Sequence, residues 1–278
     1  MTIPPVLTLL LLAHVIGDFY LQTNKMAVKK NESFWWLLLH GGLYALCVAC
    51  ILFIGGEVSR YWIFLVLGVS LSHLTIDVLR IHIPRYIQKR LPEKPFIYIH
   101  KYFPKKPFII DQLLHITTII ALWWIWGGCV TMREFDTLQA FLSMFGQSPT
   151  TNVLTLLGLL IILRPVGILI EKGEIWDFDK DKNKRQDKPT IEIRTTPDEN
   201  QKGAGKMIGY LERIIVFFLL INNQFGAIAF VLTAKSVMRF PEIGKSDNAS
   251  SLAEFYIIGT LLSMTSVFIV AFGLGLLR

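Results

Sequence analysis

The stretch LLLAHVIGDFYLQ, residues 10–22, sets a histidine and an aspartate one helical turn apart inside an apolar run from Pro4 to Tyr20. The run has the length and composition of a membrane span, yet His14 and Asp18 are ionisable. Such groups cost several kcal/mol in hydrocarbon unless they are paired or coordinated. Their presence on one helix face therefore decides both the fold class and where chemistry is to be sought.

Composition agrees with a membrane chain. Of 278 residues 53% are hydrophobic, and the mean hydropathy is +0.49. A water-soluble domain of this size has no interior able to take up so much apolar surface. The first run has no Lys or Arg before Lys25 and no small-residue cleavage site, so it reads as a retained helix rather than a signal peptide. Windows of about 20 apolar residues are long enough to cross a bilayer core. They predict an all-α polytopic transmembrane bundle of about eight spans, near 4–21, 34–54, 61–82, 108–126, 150–170, 206–222, 225–239 and 252–276.

Basic residues predict the orientation. Lys25, Lys29 and Lys30 follow the first span, eight Lys/Arg lie between Arg80 and Lys106, and nine between Lys172 and Lys206. The alternate connections hold few. By the positive-inside rule the N-terminus is outside and both long loops are cytoplasmic. The net charge of +7 is then chiefly a topology signal, with attraction to lipid headgroups as a by-product. Nucleic-acid binding is not expected, because the nine basic residues of 171–206 are matched by nine acidic ones instead of forming a basic face.

The chain divides, on this reading, into a four-helix membrane bundle at 1–130, an interfacial helix plus fifth span at 131–170, a charged cytoplasmic loop or insert at 171–205, and a three-span segment at 206–278. Prolines 84, 92, 95, 104 and 107 argue against one long helix over 83–107. Residues 131–146 look amphipathic. TIEIR, at 190–194, has the pattern of a short strand, and 171–205 is the segment through which a protein partner would be bound.

The first pair has counterparts. Span three carries SHLTID, with His73 and Asp77 at the same spacing; span four opens with DQLLH, with Asp111 and His115 in reverse order; span two contributes His40 in LLLHGG. The reversal is what antiparallel helices require. Counted from the expected cytoplasmic end, the four histidines lie about six to eight residues deep and the aspartates about three to four, two layers roughly 6 Å apart at 1.5 Å per residue.

Three readings are open. They are structural His–Asp hydrogen bonds between helices, a proton or cation pathway, and a metal centre. The shared depth favours the metal centre, since imidazole with carboxylate suits zinc, manganese or iron and helical bundles build such sites from inward side chains. His14, His40, His73 and His115 are the candidate ligands of a divalent metal, zinc first, and Asp18, Asp77 and Asp111 the candidate catalytic carboxylates. Bis-histidine haem fits poorly beside three carboxylates. Above the histidine layer the spans offer mostly Leu, Ile, Val, Phe and Trp, a dead-end pocket rather than a route across. The matching chemistry is hydrolysis of a lipid or other amphiphile.

Other polar residues weigh less. Arg164, in LRPVG, is a candidate substrate-binding residue for an anionic lipid group, although snorkelling to the interface is the plainer use. Pro165 beside it predicts a kink. Gly41 and Gly42 permit close helix approach. Cys47 and Cys50 form a CxxC on an apolar helix with no second pair, and read as small buried hydrophobes. Glu212, Arg213, Lys235, Arg239 and Glu254 are expected in interfacial salt bridges. GAGKMIG at 203–209 lacks the phosphate-loop spacing.

LLLAHVIGDFYLQ (10–22), LLLHGGLYAL (37–46), SHLTIDVLR (72–80) and DQLLHITTI (111–119) together resemble the bacterial membrane-protein family known as domain of unknown function 3307. GKMIGYLERIIVF (205–217), AKSVMRF (234–240) and AEFYIIGTLLS (253–263) are similar to the distal half of its longer members. The resemblance implies a multi-pass bacterial inner-membrane protein in contact with lipid, and brings no established activity or site residue. A more distant likeness, by analogy only, is to intramembrane zinc hydrolases such as alkaline ceramidases, whose HxxxH arrangement this sequence lacks.

Overall fold

The computed structural model describes residues 3–55, 60–90, 107–130, 149–171, 199–244 and 249–277, and every regular element among them is helical. The expected amphipathic helix at 131–146, the strand at 190–194, most of the charged insert and His100 lie outside the described residues.

Proline sets several helix starts. Pro5 opens α1 (Pro5–Val15), Pro107 opens α5 (Pro107–Trp126), Pro149 opens α6 (Pro149–Leu163) and Pro165 opens α7 (Pro165–Glu171). The first turn of a helix has no use for the N–H that proline lacks, and the ring already holds the helical φ. Between α1 and α5 come the short α2 (Asn24–Lys29), α3 (Phe34–Gly55) and α4 (Arg60–Arg90). The Thr23 hydroxyl caps α2 by accepting from the Met26 N–H at 3.2 Å. Beyond α7 lie α8 (Glu199–Ile221), α9 (Phe225–Gly244) and α10 (Ala249–Gly273).

Five helical stretches are long and apolar enough to cross a membrane: 34–55, 61–83, 108–129, 151–171 and 256–273. They mark the chain as a membrane protein. Pro5–Tyr20 and Phe225–Met238 are apolar but shorter. Trp35, Trp124, Met238 and Phe272 are each at least 77% exposed, an outward apolar surface that water would oppose and lipid accepts.

The chain forms two compact units, Thr2–Leu157 and Gly158–Arg278. In the first, α1 packs on α3, α3 on α4, α4 on α5 and α5 back on α1, closing a four-helix ring. Its apolar core includes Leu10, Tyr44, Val48, Leu52, Leu65, Val69 and Ile119. Close approach of α1 and α3 depends on Gly17, where a Cβ would come within 2.7 Å of the Tyr44 ring. Of the two glycines beside His40, Gly41 packs against Leu74 while Gly42 faces open space.

Two local features depart from the expected spans. After Val15 the chain makes one π-helical turn, Ile16–Tyr20, closed by the Leu21 N–H donating to the Ile16 carbonyl at 2.9 Å. Helix α4 also runs on past the expected end of its span, through Pro84 to Arg90. A proline costs the helix one backbone bond and some steric relief at the preceding turn. The long, otherwise intact α4 absorbs that loss.

In the second unit α8 packs on α9 and α10, α9 on α10, and α7 on α10. The α8–α9 turn is a Schellman closure: Gln224 N–H to the Leu219 carbonyl at 2.8 Å and Asn223 N–H to Leu220 at 3.0 Å, with Asn223 at φ 57°. Asparagine is among the few residues that adopt this conformation readily. The expected ion pairing is partly present, as the Lys235 ammonium donates to Glu212. Arg213 instead turns inward and is 5% exposed. Its Nε donates to the Ile162 carbonyl at 2.8 Å and its Nη1 faces the Ser263 hydroxyl at 3.5 Å. Glu254 is exposed.

Candidate metal centre

The four histidines and three aspartates of the first unit are all buried, each at 7% exposure or less. They meet where α1 passes into the π-turn, α3 begins, α4 is at its middle and α5 begins. The two layers predicted from depth close into one cluster. Each Cα–Cβ bond tilts toward its helix N-terminus, so Asp18 and Asp77 lean back toward the histidines. His40 and His115, on the antiparallel helices, lean the opposite way toward the aspartates. His40 Nε2 thus lies 3.4 Å from both Asp18 Oδ1 and Asp77 Oδ2.

The i, i+4 partners do not chiefly serve each other. Asp18, carried on the π-turn, faces His40 and His73 rather than His14, with His73 Nε2 at 3.7 Å from its Oδ1. Its other oxygen accepts from Gln112 Nε2 at 2.9 Å. Asp77 Oδ2 accepts from the Lys30 ammonium at 2.9 Å, and Asp111 Oδ2 from Arg80 Nη1 at 2.6 Å. Only His115 turns to its own helix, its Nδ1 donating to the Asp111 carbonyl at 2.8 Å.

His14 has both nitrogens engaged. Because Gln112 uses its amide N–H on Asp18, its Oε1 is left to accept from His14 Nε2 at 3.1 Å. His14 Nδ1 is then the unprotonated nitrogen and accepts from the Tyr44 hydroxyl at 3.3 Å. The other three histidines differ. His40 Nε2, both nitrogens of His73, His115 Nε2 and Asp111 Oδ1 are buried without a hydrogen-bond partner among the described residues. An unsatisfied buried polar group costs about 1–3 kcal/mol, and five such atoms lie within this one cluster.

Two sets of these side chains have the spacing of metal ligands. Asp18, His40 and His73 each offer a ligand atom, and these lie within 4.8 Å of one another. Asp77, Asp111 and His115 do the same. Tetrahedral zinc at bonds near 2.0–2.1 Å sets its ligand atoms about 3.3 Å apart. The 3.4 and 3.7 Å separations from Asp18 to His40 and His73 need little adjustment to reach that. The rings pack closely as well, with His73 stacked on Tyr44 at 3.7 Å and 4.4 Å from His115.

Four contributors were not singled out in the sequence. Lys30 counted only as an orienting flank charge, yet it is 4% exposed and holds Asp77. Arg80 was counted likewise. Gln112 stands beside Asp111 in the quoted motif, and Tyr44 lies one turn after His40; polar spacing within a span could have flagged both. Arg164 belongs to the second unit, exposed at the junction of α6 and α7. Cys47 is buried and Cys50 exposed, both as free thiols, with the Cys47 thiol 3.6 Å from the Ala13 carbonyl. His82 is exposed.

Residues 6–142 match the family model described as protein of unknown function (DUF3307), and through this half of its length the chain belongs to that family. The matched stretch contains all seven clustered residues together with Lys30, Tyr44, Arg80 and Gln112. No curated protein and no solved structure matches the chain significantly.

Proposed function

We propose that this is a metal-dependent membrane protein whose Asp18, His40 and His73 hold a divalent ion, and that it hydrolyses a lipid or other amphiphilic substrate. One observation carries the metal. Asp18 is the only carboxylate of the three without a Lys or Arg partner among the described residues, and unpartnered imidazole nitrogens surround it. A buried carboxylate with no cation is strongly unfavourable, and a divalent ion answers both shortages together. Two imidazoles and one carboxylate suit zinc, with manganese and iron as the alternatives.

Such an ion would supply an acidified bound water as the nucleophile. Asp77, across His40 from Asp18, would be placed to take a proton from that water, and His14 would orient Asp18 through Gln112. The apolar core beyond the cluster supports a closed pocket over a transport route. Contact of the bundle with lipid supports an amphiphilic substrate, and the expected setting is a bacterial inner membrane.

The test is metal analysis of the purified full-length protein, with His73→Ala alongside. A divalent metal retained by the wild type and lost from the variant is the expected result, and a wild type free of transition metal overturns the proposal. The runner-up, a cation or proton transporter, would show as ion flux in reconstituted vesicles that disappears in Asp18→Asn.

A further inference from the structure

We infer that Asp77, Asp111 and His115 form a second cation site, so that the centre is binuclear. The inference rests on the metal reading above and extends it to a different set of residues.

Proton assignment carries the argument. His115 donates from Nδ1 to the Asp111 carbonyl at 2.8 Å, which leaves a bare lone pair on Nε2. That nitrogen has no donor among the described residues, although His115 is 1% exposed. Asp111 Oδ1 is equally buried and has no donor among the described residues, and Arg80 engages the opposite oxygen. Both atoms are buried acceptors of one triad, and a cation or a water molecule would satisfy them. Metal-bound histidines commonly show this pattern, with one nitrogen tied to a backbone carbonyl and the other left for the ion.

Lys30 and Arg80 do not fill the site. Both reach Oδ2 atoms, of Asp77 and Asp111 respectively, and leave Asp111 Oδ1 and His115 Nε2 unmet. They hold the two carboxylates in position, as the outer partners of ligating carboxylates do. The two triads also adjoin. His40 Nε2 touches both Asp18 and Asp77 at 3.4 Å, and the His73 and His115 rings are 4.4 Å apart. Paired catalytic ions typically lie about 3.5–4 Å apart, a spacing compatible with this contact. With a second ion present, Asp77 would be a ligand of that ion instead of the base.

The experiment is a metal count on full-length protein in detergent, stripped with chelator and reloaded with Mn(II). Two ions per chain are expected, with the exchange-coupled spectrum of a manganese pair in electron paramagnetic resonance. His115→Gln should retain one ion and lose the coupling, and Asp111→Asn should repeat that result if the first variant fails to fold. One uncoupled ion per wild-type chain, as when water fills the second triad, overturns the inference and leaves the first site standing. No bound ion at all removes the metal reading itself.

Discussion

The Lys30 ammonium and the Asp77 carboxylate, 47 positions apart, meet at 2.9 Å with side chains only 3% and 2% exposed. Removing one member of a buried pair strands the other as an uncompensated charge, at a cost of about 3–5 kcal/mol. Lys30→Met should therefore lower the unfolding midpoint markedly in chelator-treated protein. Added divalent metal should return part of the loss by binding the native state near Asp77. The double variant Lys30→Met with Asp77→Asn, which strands no charge, should be more stable than the single one when stripped. Equal midpoints for wild type and Lys30→Met would show that the pair does not bear on folding.

Gln112 ties His14 to Asp18, accepting from the one and donating to the other. Gln112→Leu keeps the volume and removes both bonds, leaving the Asp18 carboxylate free to rotate. Loss of an outer partner of this kind typically lowers metal affinity by about 10–100-fold. Competition against a chelating dye measures it. Unchanged affinity would mean that Gln112 is only packing.

How much of this could be read from the sequence follows from what sequence spacing encodes. The pairs on α1, α4 and α5 and the lone His40 were legible, because helical periodicity and antiparallel order place them at one level. Partner choice was not. The π-turn at Ile16–Tyr20 changes the facing of Asp18, and nothing in IGDFY marks a wider turn. Lys30 was hidden by its own plausibility, since a lysine just past a span is what orientation alone would demand. Pro84 misled in the other direction, as a boundary within a helix that continues. The apolar runs gave the helices directly, but α8, which carries Lys206, Glu212 and Arg213, is not among the stretches apolar enough to cross a membrane.

Arg213 gives a control in the second unit. Its guanidinium, buried and bonded to the Ile162 carbonyl, supports the chain just before the break that Pro165 makes between α6 and α7. Arg213→Met should destabilise the protein by about 1–3 kcal/mol through the unsatisfied carbonyl. Metal content at the folded temperature should not change, because every proposed ligand belongs to Thr2–Leu157. Loss of metal from a folded Arg213→Met protein would show that the centre depends on the second unit.

Charge in the cluster predicts the kind of group that it will bind. Three carboxylates against Lys30 and Arg80 leave one negative charge with the histidines neutral; two divalent ions would turn that into three positive charges. A bridging hydroxide removes one, and the remainder in a low-dielectric pocket calls for an anion. Arg80 is the group best able to meet it, because its side chain is 38% exposed and its guanidinium has donors beyond the one on Asp111. Inorganic phosphate should therefore bind the metal-loaded protein, slow removal of the metal by chelator, and do so less well as salt rises. Arg80→Gln, assayed at a metal concentration that keeps both ions bound, should weaken phosphate binding by about tenfold, the loss of one charge-assisted hydrogen bond. If phosphate leaves chelator stripping unchanged in the loaded wild type, the pocket does not select anions, and a neutral headgroup becomes the better guess for the substrate.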